Sequence, residues 1–326
     1  MNEKKIIAIR KVRAIMRLTG AGVVAYGVHE NCIYVLLGRE RETPGWRQGS
    51  RKWSAFSGRL ENNETPIQGA SREFVEEACA CVPVSESGSS ASIQDVEKDL
   101  AARAHLFEQV SSSKTGERLI YHTFIVRIPY RPYHVMFQDI REQLLVLDGV
   151  FRTFYRLKKN ADDVPRLFFP GFSVSAQLTV INFHVYDEVN VEIAMVETCN
   201  SEEQGDPIHM TAVVSVEIAK TLLDAELAWT ETVRYIQEHA HEPIFQHPAV
   251  NITRLHGHVI NAYVNKAFLE KCEIGWWKLD DLVRLQWDVW SSNYTAFRRL
   301  FLENISAVAL EIQHLEWSRS GMSSEK

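Results

Sequence analysis

One helix constrains this chain more than any other feature. Thr65 can act as N-cap, Pro66 stands at the first helical position, and Gln68 completes a capping-box pattern. At about 100° per residue, Ile67, Ala70, Phe74 and Ala78 fall on one stripe, which predicts a helix running to about Cys79. Glu73, Glu76 and Glu77 stand at i, i+3 and i+4 and share a face flanking that stripe. The stripe can dock on a sheet while the three carboxylates line a cleft. Carboxylates this close repel one another unless a cation is present. Hard oxygen donors with room for water suit Mg²⁺ or Mn²⁺, and such ions bind diphosphate oxygens and can activate water for attack on phosphorus. Arg72 can pair with a carboxylate and fix its orientation, and the preceding loop puts Glu64 near the helix start. A lone E-x-x-E-E would read as a solvated acidic face. Here a strand, a glycine, a cap and an Arg-Glu pair accompany it.

The approach to this helix is written as strands. GAGVVAYGV and CIYVLLGR are β-branched or aromatic runs separated by HEN, a hairpin signal. A polar loop, ETPGWRQGSRK, follows, and WSAFSG reads as a short strand ending at Gly58.

Residues 58–80, GRLENNETPIQGASREFVEEACA, resemble the box of the Nudix family, G-x5-E-x7-R-E-U-x-E-E-x-G-U. Gly58, Glu64, Arg72, Glu73, Glu76 and Glu77 fall on its leading glycine and charged positions, and Phe74 on its first bulky position. Cys79 replaces the second glycine, Ala80 the last bulky residue, and Ser57 stands where many members have another glycine. The segment EIGWWKLDDL resembles a late strand of the same family. The resemblance implies an α/β fold: a Nudix α/β/α sandwich with a mixed sheet, interrupted by a large α+β insertion. It divides the chain into a basic arm (1–19), a first Nudix part (20–129), an inserted lobe (130–272), a closing strand and helix (273–315) and a tail (316–326). It implies a metal-dependent hydrolase that cleaves a diphosphate linkage in a nucleoside diphosphate linked to X. Glu73, Glu76 and Glu77 would be the metal ligands for Mg²⁺ or Mn²⁺, Arg72 would orient them and Glu64 would support them. Some members take the general base from outside the box, and Glu270 or Glu273 would be the candidates here. The competing class is a Nudix-fold module that binds a nucleotide or protein without turnover. Cys79 falls where a left-handed turn favours glycine, and no metal ligand is lost with that substitution.

Charge adds a hint about the substrate. Residues 1–59 hold twelve Lys/Arg and four Asp/Glu, a balance of +8, so the remainder carries −6 − 8 = −14. Arg39, Arg47, Arg51, Lys52 and Arg59 surround the entry to the box and are candidate substrate-binding residues, with Trp46 as a stacking surface for a base. A solvated basic loop is the plainer reading. The basic balance predicts a substrate larger than a free nucleotide, with capped RNA as one candidate.

The 326 residues are 45% hydrophobic and 24% charged, which excludes disordered and disulfide-scaffold classes. No apolar run is long enough for a bilayer, and the five cysteines are odd in number and scattered, so a cytoplasmic protein with reduced thiols is expected. Further helices are expected near 93–108, 137–158, 219–240, 258–271 and 293–315. Strands are expected over LIYHTFIVRI, SAQLTVINFHVY, EVNVEIAMVE and HMTAVVSVEI. The histidine-rich stretch 239–258 holds two prolines and reads as loop and turn rather than a metal site.

Overall fold

A computed structural model describes residues 16–85, 92–112, 118–168, 177–185, 190–198, 208–255 and 258–321. The basic arm lies almost wholly outside these residues. The chain divides into two units: Met1–Arg141 with Ala267–Lys326, and Glu142–Lys266.

The first unit is built on a seven-stranded mixed sheet. Its strands are β1 (Met16–His29), β2 (Cys32–Glu40), β3 (Trp53–Ser54), β4 (Phe56–Arg59), β5 (His105–Ser112), β6 (Arg118–Arg127) and, late in the chain, β12 (Lys271–Lys278). The main order is β12-β2-β1-β6-β5, with β3 added to β2 and β4 to β1. Only β1 and β6 pair in parallel within it. β1 and β2 form the expected hairpin, with His29 opposite Cys32. The β12–β2 register sets Lys271 opposite Glu40, and this pairing places two charged residues at one end of the sheet.

Helices cover both faces. α1 (Pro66–Glu77) and α2 (Ile93–Arg103) lie on one, α5 (Leu279–Trp287) and α6 (Arg299–Gly321) on the other. Strand alternation divides the side chains between the two layers. Val24, Tyr26, Val35, Leu37 and Ile125 pack with Leu279, Leu282, Leu302, Ile305, Val308 and Ile312 of α5 and α6. On the α1 side, Phe56 meets Phe74 edge-on, ring centroids 5.2 Å apart. That contact seats the apolar stripe of α1 on the sheet. The result is an α/β/α sandwich.

The second unit contains the later part of α3 (Tyr133–Phe168), a three-stranded antiparallel sheet β7 (Gln177–Val185), β8 (Asn190–Thr198) and β9 (Ile208–Ser215), the helix α4 (Val216–His239), and a hairpin β10 (Val250–Leu255) with β11 (His258–Val264). Among the described residues, no helix is long and apolar enough to cross a membrane.

Several sequence expectations need correction. The helix predicted over 258–271 is instead β11, a short 3-10 turn at Lys266–Leu269 and the start of β12. Its apolar residues Val259, Ala262 and Val264 fit either period, and β-strand partners decide between them. The helix expected to reach 108 ends at Arg103, because residues 105–112 pair with β6 as β5. WSAFSG is two short strands, one on β2 and one on β1. Of the segment EIGWWKLDDL, which resembles a late strand, the strand ends at Lys278 and Leu279 onward is the helix α5. The loop expected over 239–258 contains β10 and the first residue of β11.

Candidate active site

The site lies where β4, α1, the end of β2 and the start of β12 meet. α1 begins as its sequence dictates. Thr65 Oγ1 accepts from the Gln68 backbone N–H, and Gln68 Oε1 accepts from the Thr65 N–H. The helix ends with Cys79 and Ala80 both at φ +49°, the left-handed turn that glycine would serve in the family pattern. The Cys79 side chain is accommodated: it is fully buried and its Sγ lies 3.0 Å from the Phe268 carbonyl oxygen.

Arg72 organises one half of the site. Its Nε and Nη2 grip Glu64 in a bidentate pair at 2.7 and 3.1 Å. Its Nη1 lies 2.9 Å from Glu73 Oε1 and 3.0 Å from Glu76 Oε2. A further bond from Nη2 to the Arg59 carbonyl, at 3.1 Å, anchors the guanidinium to β4. Gly58 makes room for this arrangement: a Cβ there would stand 2.0 Å from Glu73 Oε1.

Lys271 organises the other half. It is completely buried. Its Nζ lies 2.6 Å from Glu40 Oε1, 3.0 Å from Glu77 Oε1 and 3.2 Å from Ser54 Oγ. The second oxygen of Glu77 accepts from the Ser57 backbone N–H at 2.7 Å. Arg298 reaches Glu40 at 3.5 Å and lays its guanidinium over the Trp46 ring, 5.4 Å from the centroid.

Electrostatics follow from burial and from an excess of acid. Six linked carboxylates (Glu40, Glu61, Glu64, Glu73, Glu76 and Glu77) share three cations: Arg72, Lys271 and Arg298. The Arg72 hydrogen bond holds Glu64 below the usual carboxylate range. Burial pushes Glu76 up to about 7 against the pull of Arg72. Burial also raises Glu73 and Glu77. For Lys271, burial alone would lower the pKa, but Glu77 and Glu40 outweigh it and the ammonium is held above its ordinary value.

The predicted site residues therefore divide. Glu64, Arg72, Glu73 and Glu76 come together, while Glu77 turns to Lys271 and Ser57. Among the described residues, no group of three or more His, Cys, Asp or Glu side chains is arranged as a metal centre. Glu73 and Glu76 each commit one oxygen to Arg72, and their second oxygens make no hydrogen bond among the described residues. Hard oxygen donors of this kind suit a Mg²⁺- or Mn²⁺-sized cation.

The candidate substrate-binding residues are more scattered in role. Arg39 pairs with Glu273 at 3.3 Å and donates to the Arg51 carbonyl. Arg51 itself pairs with Glu42. Arg47 and Arg59 are exposed and Lys52 is half-exposed. Trp46 is linked to the site through Arg298. Sequence reasoning missed Glu40, Ser54, Lys271 and Arg298. Glu40 and Lys271 are 231 residues apart, so no spacing rule joins them. The local signal was a charged residue at one end of each of two apolar strands, Glu40 closing β2 and Lys271 opening β12.

No protein-family model and no curated protein matches this chain. Among solved structures it is similar to the Nudix hydrolase RenU from M. smegmatis, at 20% identity over 35% of this chain and 63% of that one, TM-score 0.24. It is also similar to an Ap4A hydrolase from C. elegans, at 16% identity over 34% and 66%, TM-score 0.22. A third is the NUDIX domain of Shewanella oneidensis NrtR complexed with ADP ribose, at 14% identity over 40% and 73%, TM-score 0.22. The chain spans less than two thirds of the first two.

Proposed function

We propose that the protein is a metal-dependent pyrophosphohydrolase of the Nudix type, acting on a nucleoside diphosphate linked to X. The observation that carries this reading is the charge balance of the site. Six linked carboxylates against three cations leave the site with more acid than base. A Mg²⁺ or Mn²⁺ held by Glu73 and Glu76 would offset that excess. When bound, the ion supplies Lewis-acid polarisation of a phosphoryl oxygen.

The chain's own residues do the rest. Arg72 touches both Glu73 and Glu76 through Nη1, and Glu64 holds Arg72 in that pose. Glu270 is the base we favour over Glu273, because Glu273 is already paired with Arg39. Loss of hydration, then the neighbouring Glu40, raise the pKa of Glu270. Water adds to one phosphorus, its proton passes to Glu270, and the bridging P–O bond breaks. Each product then ends in a phosphate. Arg47, Lys52 and Arg59 supply cationic charge at the entry, and Trp46 offers a ring for a base. Among the described residues Cys32, Cys79, Cys81 and Cys272 form no disulfide, which fits a cytosolic location.

The test is a panel of ADP-ribose, a dinucleoside tetraphosphate, a cap dinucleotide and a short capped RNA, each with Mg²⁺ or Mn²⁺. Turnover of at least one compound by the wild type and not by Glu76→Gln supports the proposal. A steep salt dependence for the capped RNA alone identifies the polymer as substrate. Tight binding with no turnover of any compound assigns a binding module instead.

A further inference from the structure

Among the described residues, Lys271 is the most completely buried charged side chain, and the sequence pattern gives it no role. Its carbon stem lies across β2 at Gly38, where an added Cβ would meet Lys271 Cγ and Cδ at 3.0 Å. Its carbonyl accepts from Arg141 Nε at 2.8 Å, which fixes the backbone beneath it. Its ammonium is enclosed by Glu40, Glu77 and Ser54. An ammonium has three protons to donate, and these three acceptors take them all. Glu77 has both of its oxygens engaged, one on Lys271 and the other on the Ser57 N–H. A carboxylate with both oxygens accepting from fixed donors has little left to offer a cation.

We propose that Lys271 is a resident cation of the site: it holds Glu77 and Glu40 in a closed ion-pair cluster, so that Glu77 is a positioning residue rather than a metal ligand and the site takes one divalent ion, on Glu73 and Glu76. This rests on the metal-dependent reading above. Two features of the structure converge on it. Both oxygens of Glu77 are engaged, by Lys271 and by the Ser57 N–H, whereas Glu73 and Glu76 each place one oxygen on Arg72 and keep the other off it. The three glutamates of the helix, equivalent by spacing, are divided by their partners into a pair facing Arg72 and a single residue facing Lys271. Lys271 takes the place of a second ion by neutralising Glu77 from within the sheet.

The experiment is Mn²⁺ binding to the full chain, counted by electron paramagnetic resonance of free Mn²⁺ and by calorimetry. The wild type should bind one Mn²⁺. Glu76→Gln should weaken binding by about a hundredfold, as loss of a ligand does. Glu77→Gln should weaken it by less than about tenfold, the effect of one screened charge at a distance, with the count still one. Lys271→Ala opens space beside two freed carboxylates and should bind a second Mn²⁺, with its thermal midpoint raised by the ion. A merely structural lysine would not add a binding site when removed. A wild-type count of two, or a Glu77→Gln loss equal to that of Glu76→Gln, overturns the proposal while leaving the metal-dependent reading intact. No Mn²⁺ binding to the wild type overturns both. Should Lys271→Ala fail to fold, the Glu76 and Glu77 comparison still decides.

Discussion

Glu64 and Arg72, eight residues apart, meet through two parallel bonds of 2.7 and 3.1 Å. One residue lies in the loop before α1 and the other in its second turn, so the pair ties loop to helix. Glu64 thereby sets the position of the guanidinium that in turn touches Glu73 and Glu76. Its pKa is held down first by the Arg72 hydrogen bond, with burial opposing. A carboxylate with a lowered folded pKa stabilises the fold above its unfolded pKa. That stabilisation is lost as pH falls through the folded value. The expected result is that Glu64→Gln melts below the wild type at neutral pH and that the difference closes in acid. Thermal melts of both proteins across pH check it, and a constant difference at all pH values would contradict it.

Gly58 and Glu73 make a second prediction. An added Cβ would stand 2.0 Å from Glu73 Oε1, which is the far end of a flexible side chain. Gly58→Ala should therefore move the carboxylate at a stability cost of only about 1 kcal/mol. Mn²⁺ affinity should fall by about tenfold or more as the ligand is displaced. Calorimetric titration and a denaturant melt measure the two separately. Unchanged affinity would show that Glu73 does not hold the ion.

Phe74 is the anchor of α1. It is fully buried and packs edge-on to Phe56. Phe74→Ala should cost about 3–5 kcal/mol, from lost burial and the cavity left behind. A chemical denaturation midpoint reports this, and a loss under about 1 kcal/mol would mean α1 is held chiefly by other contacts.

The thiols give a prediction that does not involve the site. Burial pushes the Cys79 thiol up to about 12, and Cys81 is raised for the same reason. Only the thiolate reacts with iodoacetamide. At pH 8 the native protein should be labelled at half-exposed Cys32, with Cys79 and Cys81 protected until denaturant is added. Mass spectrometry of digests reads this directly, and rapid native labelling of Cys79 would contradict the burial.

The legible parts of the sequence were those written locally. The cap at Thr65, the stripe through Ala70 and Phe74, and the β1–β2 hairpin all rest on residues within a few positions of one another. The α/β class came from the resemblance carried by residues 58–80. What was not legible depends on long-range pairing. Residues 258–264 carry an apolar pattern that suits helix or strand, and only partnership with β10 makes them β11. Residues 105–108 extend an amphipathic run, yet β6 takes them into the sheet. The glutamates of α1 were read as one set because spacing treats them alike. Lys271, reached across the sheet from β12, is what separates Glu77 from the other two.

The central claim is hydrolysis of a phosphoanhydride at the Glu73–Glu76 site. The most direct measurement is turnover of the panel in ¹⁸O-labelled water with Mg²⁺ or Mn²⁺, followed by mass spectrometry of both products. The account predicts one ¹⁸O on a product phosphate, at a rate that Glu76→Gln lowers by at least about a hundredfold. No label in any product, or equal labelling by wild type and Glu76→Gln, would contradict it.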